Sequence, residues 1–181
     1  MSGYVEKEVK VLNVNPEEVK NALLSLGAEK VFDDNRVFTT LDYDDLRLSK
    51  AGNEIRLTEE GKIKLSYDGK IAGGKETIKL VVSRKQEALD FFNRLGLNPV
   101  AEVKSHRTSF EWEGIDFDLD EFPQLAPFLE IDLGDSSLTL DGVLEKLSLK
   151  SNEVVTLSTK EIFKKFGLDY FDLFRTPGAP K

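Results

Sequence analysis

The feature that most constrains this chain is an alternation of charged and aliphatic residues that recurs along several short segments. From Tyr4 to Leu12, Glu6, Glu8 and Lys10 fall on one side of an extended strand, with Val5, Val9 and Val11 on the other. Arg56 and Thr58 oppose Ile55 and Leu57 in the same way, and Lys62, Lys64 and Ser66 oppose Ile63, Leu65 and Tyr67. Thr77 and Lys79 alternate with Ile78, Leu80 and Val82, and Arg107, Ser109 and Glu111 with Thr108, Phe110 and Trp112. Asp116, Asp118 and Asp120 oppose Ile115, Phe117 and Leu119, while Glu130 and Asp132 oppose Leu129, Ile131 and Leu133. An ordinary antiparallel sheet with one wet face would also alternate. Its solvent side is usually mixed, however, and here acids recur at i, i+2 on three strands. Like charges that close cost energy unless a cation joins them.

Helical segments separate the strands. Asn15 as N-cap and Pro16 at the first helical position open one, with Val19, Ala22, Leu23 and Leu26 as its apolar stripe and Gly27 as its stop. Ser83 with Gln86 predicts a capping box opening a second, which carries Ala88, Leu89, Phe92 and Leu95 and stops at Gly96. Two more helices are expected near 139–149 and at 159–166, the latter opened by Ser158 and Glu161. Glu59-Glu60-Gly61, Asp68-Gly69, Gly73-Gly74 and Glu113-Gly114 read as turns, and 42–53 as a polar connection. At an offset of 69 residues, Val9, Lys10, Val19, Leu23, Leu26, Gly27 and Val31 fall on Ile78, Lys79, Ala88, Phe92, Leu95, Gly96 and Val100. The chain therefore reads as one domain over 1–173, of two related halves, about 1–70 and 71–173, with a frayed tail at 174–181.

The helices need an apolar surface to pack on, and the aliphatic sides of the strands supply it. The expected fold is thus α+β: a closed antiparallel β-barrel with helices outside and the charged residues inside. Closure would also remove exposed strand edges. Such an interior suits a polyanion accompanied by a metal. The chain of 181 residues has no cysteine and one histidine, so any bound metal must be held by oxygen, as Mg²⁺, Mn²⁺ or Ca²⁺ are. A net charge of −8 argues against general binding to nucleic acid or anionic membranes. No apolar run reaches a membrane-spanning length and no signal-peptide core is seen, so the cytoplasm is the expected compartment.

Glu6-Lys7-Glu8-Val9-Lys10 resembles the Glu-x-Glu-x-Lys signature of the CYTH superfamily, the triphosphate tunnel metalloenzymes, which include class IV adenylyl cyclases, thiamine triphosphatases and inorganic triphosphatases. Further along, Ile55-Arg56-Leu57-Thr58 is similar to the family's Leu-Arg-x-Arg strand, and Arg107 to its later basic strand. Phe117-Asp118-Leu119-Asp120-Glu121 resembles a strand ending in a metal-side aspartate, and Phe128-Leu129-Glu130-Ile131-Asp132 the closing Glu-x-Glu strand. The resemblance implies a tunnel of about eight strands with a triphosphate inside. It implies Glu6, Glu8, Glu130 and Asp132, with Asp120, as ligands of Mg²⁺ or Mn²⁺, and Glu6, Glu8 and Lys10 as the catalytic signature. It further implies Lys10, Arg56 and Arg107 as a phosphate grip.

The chain departs from that pattern where cations are expected. Thr58 replaces the second arginine, Asp68 a phosphate lysine, Ser105 a lysine, and Thr39 a common aspartate. Lys64, Lys75, Lys79 and Lys104 are candidate substitutes; Lys64 and Lys79 lie on the charged side by alternation and are the better ones. His106 alternates off that side, as a partly buried, hydrogen-bonded histidine would. Three functions stay open: hydrolysis of a small-molecule triphosphate by a monomer or homodimer, cyclisation of ATP to cyclic AMP, and binding of phosphate or polyphosphate without turnover. A hydrated structural barrel is the bland alternative.

Overall fold

The computed structural model describes residues 8–71 and 74–179; Val5, Glu6 and Gly73 lie outside them, as does the side chain of Lys75. Among the described residues are the strands β1 (Glu8–Leu12), β2 (Glu29–Asp42), β3 (Glu54–Glu60), β4 (Lys62–Ile71), β5 (Gly74–Val82), β6 (Asn98–Trp112), β7 (Ile115–Glu121), β8 (Phe128–Asp132) and β9 (Val154–Val155). The helices are α1 (Pro16–Ser25), α2 (Arg47–Lys50), α3 (Lys85–Arg94), α4 (Leu140–Lys146), α5 (Thr159–Lys165) and α6 (Tyr170–Phe174). The fold is α+β, an antiparallel sheet of nine strands in the order β5-β4-β3-β2-β6-β7-β8-β1-β9. Among the described residues, no helix is long and apolar enough to cross a membrane. The chain forms two compact units: a first of residues 36–104 and 167–179, and a second of 8–35 and 105–166.

In the second unit the aliphatic sides of the strands do what the alternation predicts. Val11, Phe110, Ile115, Phe117, Leu119, Leu129 and Ile131 are buried together with Val19 and Leu23 of α1 and Val143 and Leu144 of α4. Each such side chain stabilises the unit by about 1.5–3 kcal/mol relative to exposure. The helix ends follow their signals. Asn15 Oδ1 accepts from the backbone N–H of Glu17 at 3.1 Å, and the Ser158–Glu161 capping box closes on α5. Thr139 Oγ1 caps α4 by accepting from Gly142 N–H at 3.2 Å.

The first unit departs from expectation at four places. Asp68-Gly69 is not a turn: β4 runs through it, with Asp68 opposite Thr77 and Gly69 opposite Glu76. A Cβ on Gly69 would lie 2.8 Å from a Tyr67 ring carbon, so the glycine makes room for that ring rather than for a bend. Ser83 does not cap α3. The N-cap is Arg84, which makes no side-chain cap bond, because the helix starts one residue later than the Ser83–Gln86 spacing requires. The connection at 42–53 contains α2, organised by the wholly buried Asp42, whose carboxylate accepts from Leu48 N–H at 3.0 Å and Ser49 N–H at 2.9 Å. Finally, the aliphatic side of β5 is not covered: Ile78 is 49 % and Leu80 58 % exposed, and α3 buries none of its residues fully. Alternation states which side chains share a face, not whether a helix lands on it. At the C-terminal end, Thr176 N–H donates to Val100 C=O at 3.2 Å and its hydroxyl to Pro99 C=O, tying the chain to β6.

Candidate functional site

Strand register in the second unit stacks the charged residues into rows. Glu111, Asp116, Asp132 and Glu8 are successive cross-strand neighbours on β6, β7, β8 and β1. Ser109, Asp118, Glu130 and Lys10 form the next row, and Arg107 lies opposite Asp120 in the one beyond. Two cations therefore share a face with seven acids. Arg107 Nε and Nη2 donate to the two oxygens of Asp120 at 2.7 and 2.6 Å, Nη2 also donates to Glu130 at 2.7 Å, and Nη1 donates to Asp118. Lys10 Nζ pairs with Glu8 and stands 3.3 Å from Glu130.

Burial sets the electrostatics. Burial opposes the charge on Arg107, but Asp120, Glu130 and Asp118 outweigh it and hold the guanidinium pKa well above its ordinary value. Lys10 is likewise raised: burial works against it, and Glu130 and Glu8 prevail. Asp118 is pushed up by burial, and repulsion from Glu130 and Asp120 adds to this against the pull of Arg107 and the Ser109 hydrogen bond. Partial burial first, then Asp132, raise Asp116.

Of the residues singled out in the sequence, Glu8, Lys10, Arg107, Asp120, Glu130 and Asp132 thus belong to one face of the second unit. Glu6 lies outside the described residues. Asp132 is in the acid row and also accepts from Gly134 N–H at 3.1 Å. The donor set is one of hard carboxylate oxygens, which fits Mg²⁺ or Mn²⁺. Among the described residues, no three of these acids converge as a ready-made cation site.

Arg56, Lys64 and Lys79 belong to the first unit. Arg56 is half-buried on β3, opposite Thr40. Lys64 pairs with Glu60 at 3.4 Å, and Lys79 lies exposed opposite Ser66. The departing residues have local roles. Thr58 is buried opposite Phe38, Asp68 accepts from Thr77 Oγ1 at 2.9 Å, and Thr39 is buried on the aliphatic side opposite Leu57. Ser105 is buried and Lys104 exposed. His106 Nε2 lies 3.0 Å from Asp33 Oδ1, the hydrogen-bonded histidine its alternation implied.

Two residues of the first unit escaped the reading of the sequence. Arg36 on β2 is 3 % exposed, 3.8 Å from Glu60, with its guanidinium carbon 4.3 Å from the Phe38 ring centroid. It shares the charged side with Phe38 and Thr40, so the same alternation would have found it. Tyr170 of α6 is buried beside Thr40, Glu54 and Arg56; burial first, then the Glu54 charge, push its pKa up to about 12. No periodic signal marks a residue delivered from a five-residue helix.

This chain belongs to the CYTH domain family, which matches it over residues 5–163. Solved structures share the fold. A candidate adenylate cyclase from Vibrio parahaemolyticus superposes with a TM-score of 0.76 at 18% identity, covering 90% of this chain and 99% of that one. A candidate adenylate cyclase from Bacillus halodurans gives 0.65 at 19% identity, with 90% and 99% covered. HpAC1 from Hippeastrum, a candidate adenylyl cyclase for which a dominant triphosphatase activity is stated, gives 0.66 at 15% identity, with 91% and 98% covered. At these identities the likeness is one of fold alone. No curated protein matches the chain.

Proposed function

We propose that this protein is a divalent-metal-dependent enzyme that binds a small-molecule triphosphate in a closed tunnel and hydrolyses it. Inorganic triphosphate, thiamine triphosphate and nucleoside triphosphates are the candidate substrates. The observation that supports this most is the face of seven acids around Lys10 and Arg107 in a chain of the CYTH family. So large an excess of carboxylates is costly unless a cation is held among them. Glu8, Glu130 and Asp132, with Glu6 and Asp120, would hold Mg²⁺ or Mn²⁺; both oxygens of Asp120 also accept from Arg107. When bound, the metal neutralises charge on the phosphoryl group being transferred.

Lys10 and Arg107 would share their N–H donors between phosphate oxygens and Glu130. Their raised pKa values keep both charged throughout the neutral range. Hydrolysis requires a gripped triphosphate and a positioned water, whereas cyclisation also requires a nucleoside held with its 3′-oxygen in line with the α-phosphate. The cyclase reading draws on the names of the structural neighbours. Phosphate release and cyclic-nucleotide formation, measured over a panel of triphosphates with Mg²⁺ and with Mn²⁺, test the reading. We expect phosphate release from inorganic triphosphate and none of the cyclic product from ATP. Tight binding with no turnover of any substrate would favour a phosphate-binding module, and cyclic AMP formation the cyclase.

A further inference from the structure

On its aliphatic side, the first unit carries one helix and a bare strip of sheet beside it. Lys85 at the start of α3 pairs with Glu59 of β3 at 2.6 Å and stands 3.9 Å from Glu102 of β6. At the other end, a Cβ on Gly96 would lie 3.7 Å from the ring of Tyr43, which follows β2. These contacts seat α3 over β3, β2 and β6. On β5, Ile78 and Leu80 are left 49 % and 58 % exposed, and Tyr67 and Leu65 opposite them on β4 are half-buried. Phe91 and Leu95, one turn apart on α3, are 62 % and 54 % exposed. Ala88, Leu89 and Phe92 are half-buried and mark the side of the helix that meets the sheet. The chain passes from β5 through α3 to β6, four places along the antiparallel sheet and so parallel to β5. The right-handed sense of such crossovers turns the Phe91–Leu95 flank toward β5 and the bare strip.

We propose that this strip, with the adjoining flank of α3, is a homodimer interface, covered by the same surface of a second copy of the chain about a two-fold axis. A two-fold contact brings a surface onto itself, so one arrangement covers Ile78, Leu80, Phe91 and Leu95 in both copies. It also shields β5, which ends the sheet among the described residues. The charges around the strip point to a like partner. Lys85 is paired with Glu59, and Arg84 with Glu87 at 2.7 Å, within one copy. Glu76, on the same side of β5 as Ile78 and Leu80, and Arg94, next to Leu95, are exposed, and among the described residues neither is ion-paired. Each copy thus presents one acid and one base, and a two-fold contact offers the Glu76 of each to the Arg94 of the other. A partner of uniform charge would satisfy only one of the two. The apolar patch is on the order of a few hundred Å² per copy, the size that marks an interaction site. It falls short of the roughly 800 Å² per partner of a stable interface, so the dimer is weak, with a Kd on the order of 10–100 µM. In dilute solution the chain is then a monomer, and Leu80 contributes little to its stability.

The test is sedimentation velocity of the full chain over a concentration series from about 1 to about 500 µM, a span that brackets the expected Kd. Wild type should pass from monomer to dimer across it. Leu80→Lys and Phe91→Glu, each placing a charge in the apolar patch, should weaken the dimer by at least about 10-fold. Glu76→Arg and Arg94→Glu should each weaken it by about 3- to 10-fold, the range of an exposed ion pair turned to repulsion. An equimolar mixture of those two variants should dimerise again, because their altered surfaces are once more of opposite sign. Should Leu80→Lys or Phe91→Glu fail to fold, the two charge variants and their mixture decide, since both positions are exposed. A wild type that stays monomeric throughout overturns the proposal and leaves the strip to a different partner or to solvent. A dimer untouched by Leu80→Lys and Phe91→Glu, or no recovery in the mixture, overturns it as well.

Discussion

The two units of this protein arrange charge on their sheets differently. In the second unit two cations sit among seven acids, and each cation has carboxylates against it: Arg107 donates to Asp118, Asp120 and Glu130, and Lys10 pairs with Glu8. In the first unit Arg36, Arg56, Lys64 and Lys79 share a side with Glu54, Glu60 and Asp68, and two of the guanidiniums gather on an aromatic ring. The cores differ too. The second unit covers its aliphatic side with α1 and α4, whereas β5 of the first leaves Ile78 and Leu80 exposed. The contrast teaches that an arginine on the charged side of a strand is not automatically a phosphate grip. Where carboxylates already surround it, as around Arg107, it is also a structural fastener.

The sharpest way to break that contrast is to remove the fastener. Arg107→Met leaves Asp120, which is 0 % exposed, with Asp118 and Glu130 and no guanidinium between them. Breaking a buried pair in this way typically costs about 3–5 kcal/mol. Urea denaturation should show a loss of that order, while Arg56→Met, half-exposed and seated on Phe38, should cost under about 1 kcal/mol. Equal losses in the two variants would erase the distinction.

The cores can be compared by truncation. Phe110→Ala, in the second unit at 1 % exposure, is expected to lose about 3–5 kcal/mol. Leu80→Ala on β5 should lose no more than about 0.5 kcal/mol. A larger loss at Leu80 would mean that the aliphatic side of β5 is covered in solution.

A smaller effect sharpens the account of the departures. Asp68 is buried and accepts from Thr77 Oγ1, so Asp68→Ala should cost about 1–2 kcal/mol through the lost bond and the stranded hydroxyl. Introducing a lysine at 68 should destabilise more than it helps phosphate binding. A stable Asp68→Lys with tightened tripolyphosphate affinity would show the position still open to a cation.

The smallest effect is one of pH. Partial burial and the neighbouring Asp132 hold the Asp116 carboxyl above its ordinary value of 3.8. A carboxyl raised in the folded state binds protons more readily than in the unfolded chain, so its charge costs stability at neutral pH. That cost fades as pH falls through the raised value toward 3.8. Asp116→Asn should therefore raise the melting temperature slightly at pH 7, by less as pH drops, with no gain left once pH is well below 3.8. A gain independent of pH would point to packing instead of charge.

Much of this was legible in the sequence because it depends on local periodicity. Alternation of period two correctly assigned Lys10, Arg107, Asp118, Asp120, Glu130 and Asp132 to one side of their strands, since successive side chains must point to opposite faces. The Asn15–Pro16 start and the Ser158–Glu161 box marked their helices because a cap satisfies specific backbone N–H groups within a few residues. What only tertiary structure decided is pairing at a distance. Register set Glu8 beside Asp132 and Asp118 beside Glu130, and it engaged Arg107 with three acids at once. Placement of Arg36 and Arg56 over one ring depended on β2 and β3 meeting with Phe38 opposite Thr58. A strand carries its own pattern of faces, but its neighbour's register depends on loop closure and on packing summed over the whole sheet. For the same reason alternation drew Ile78 and Leu80 onto an aliphatic side without determining that α3 would leave them exposed.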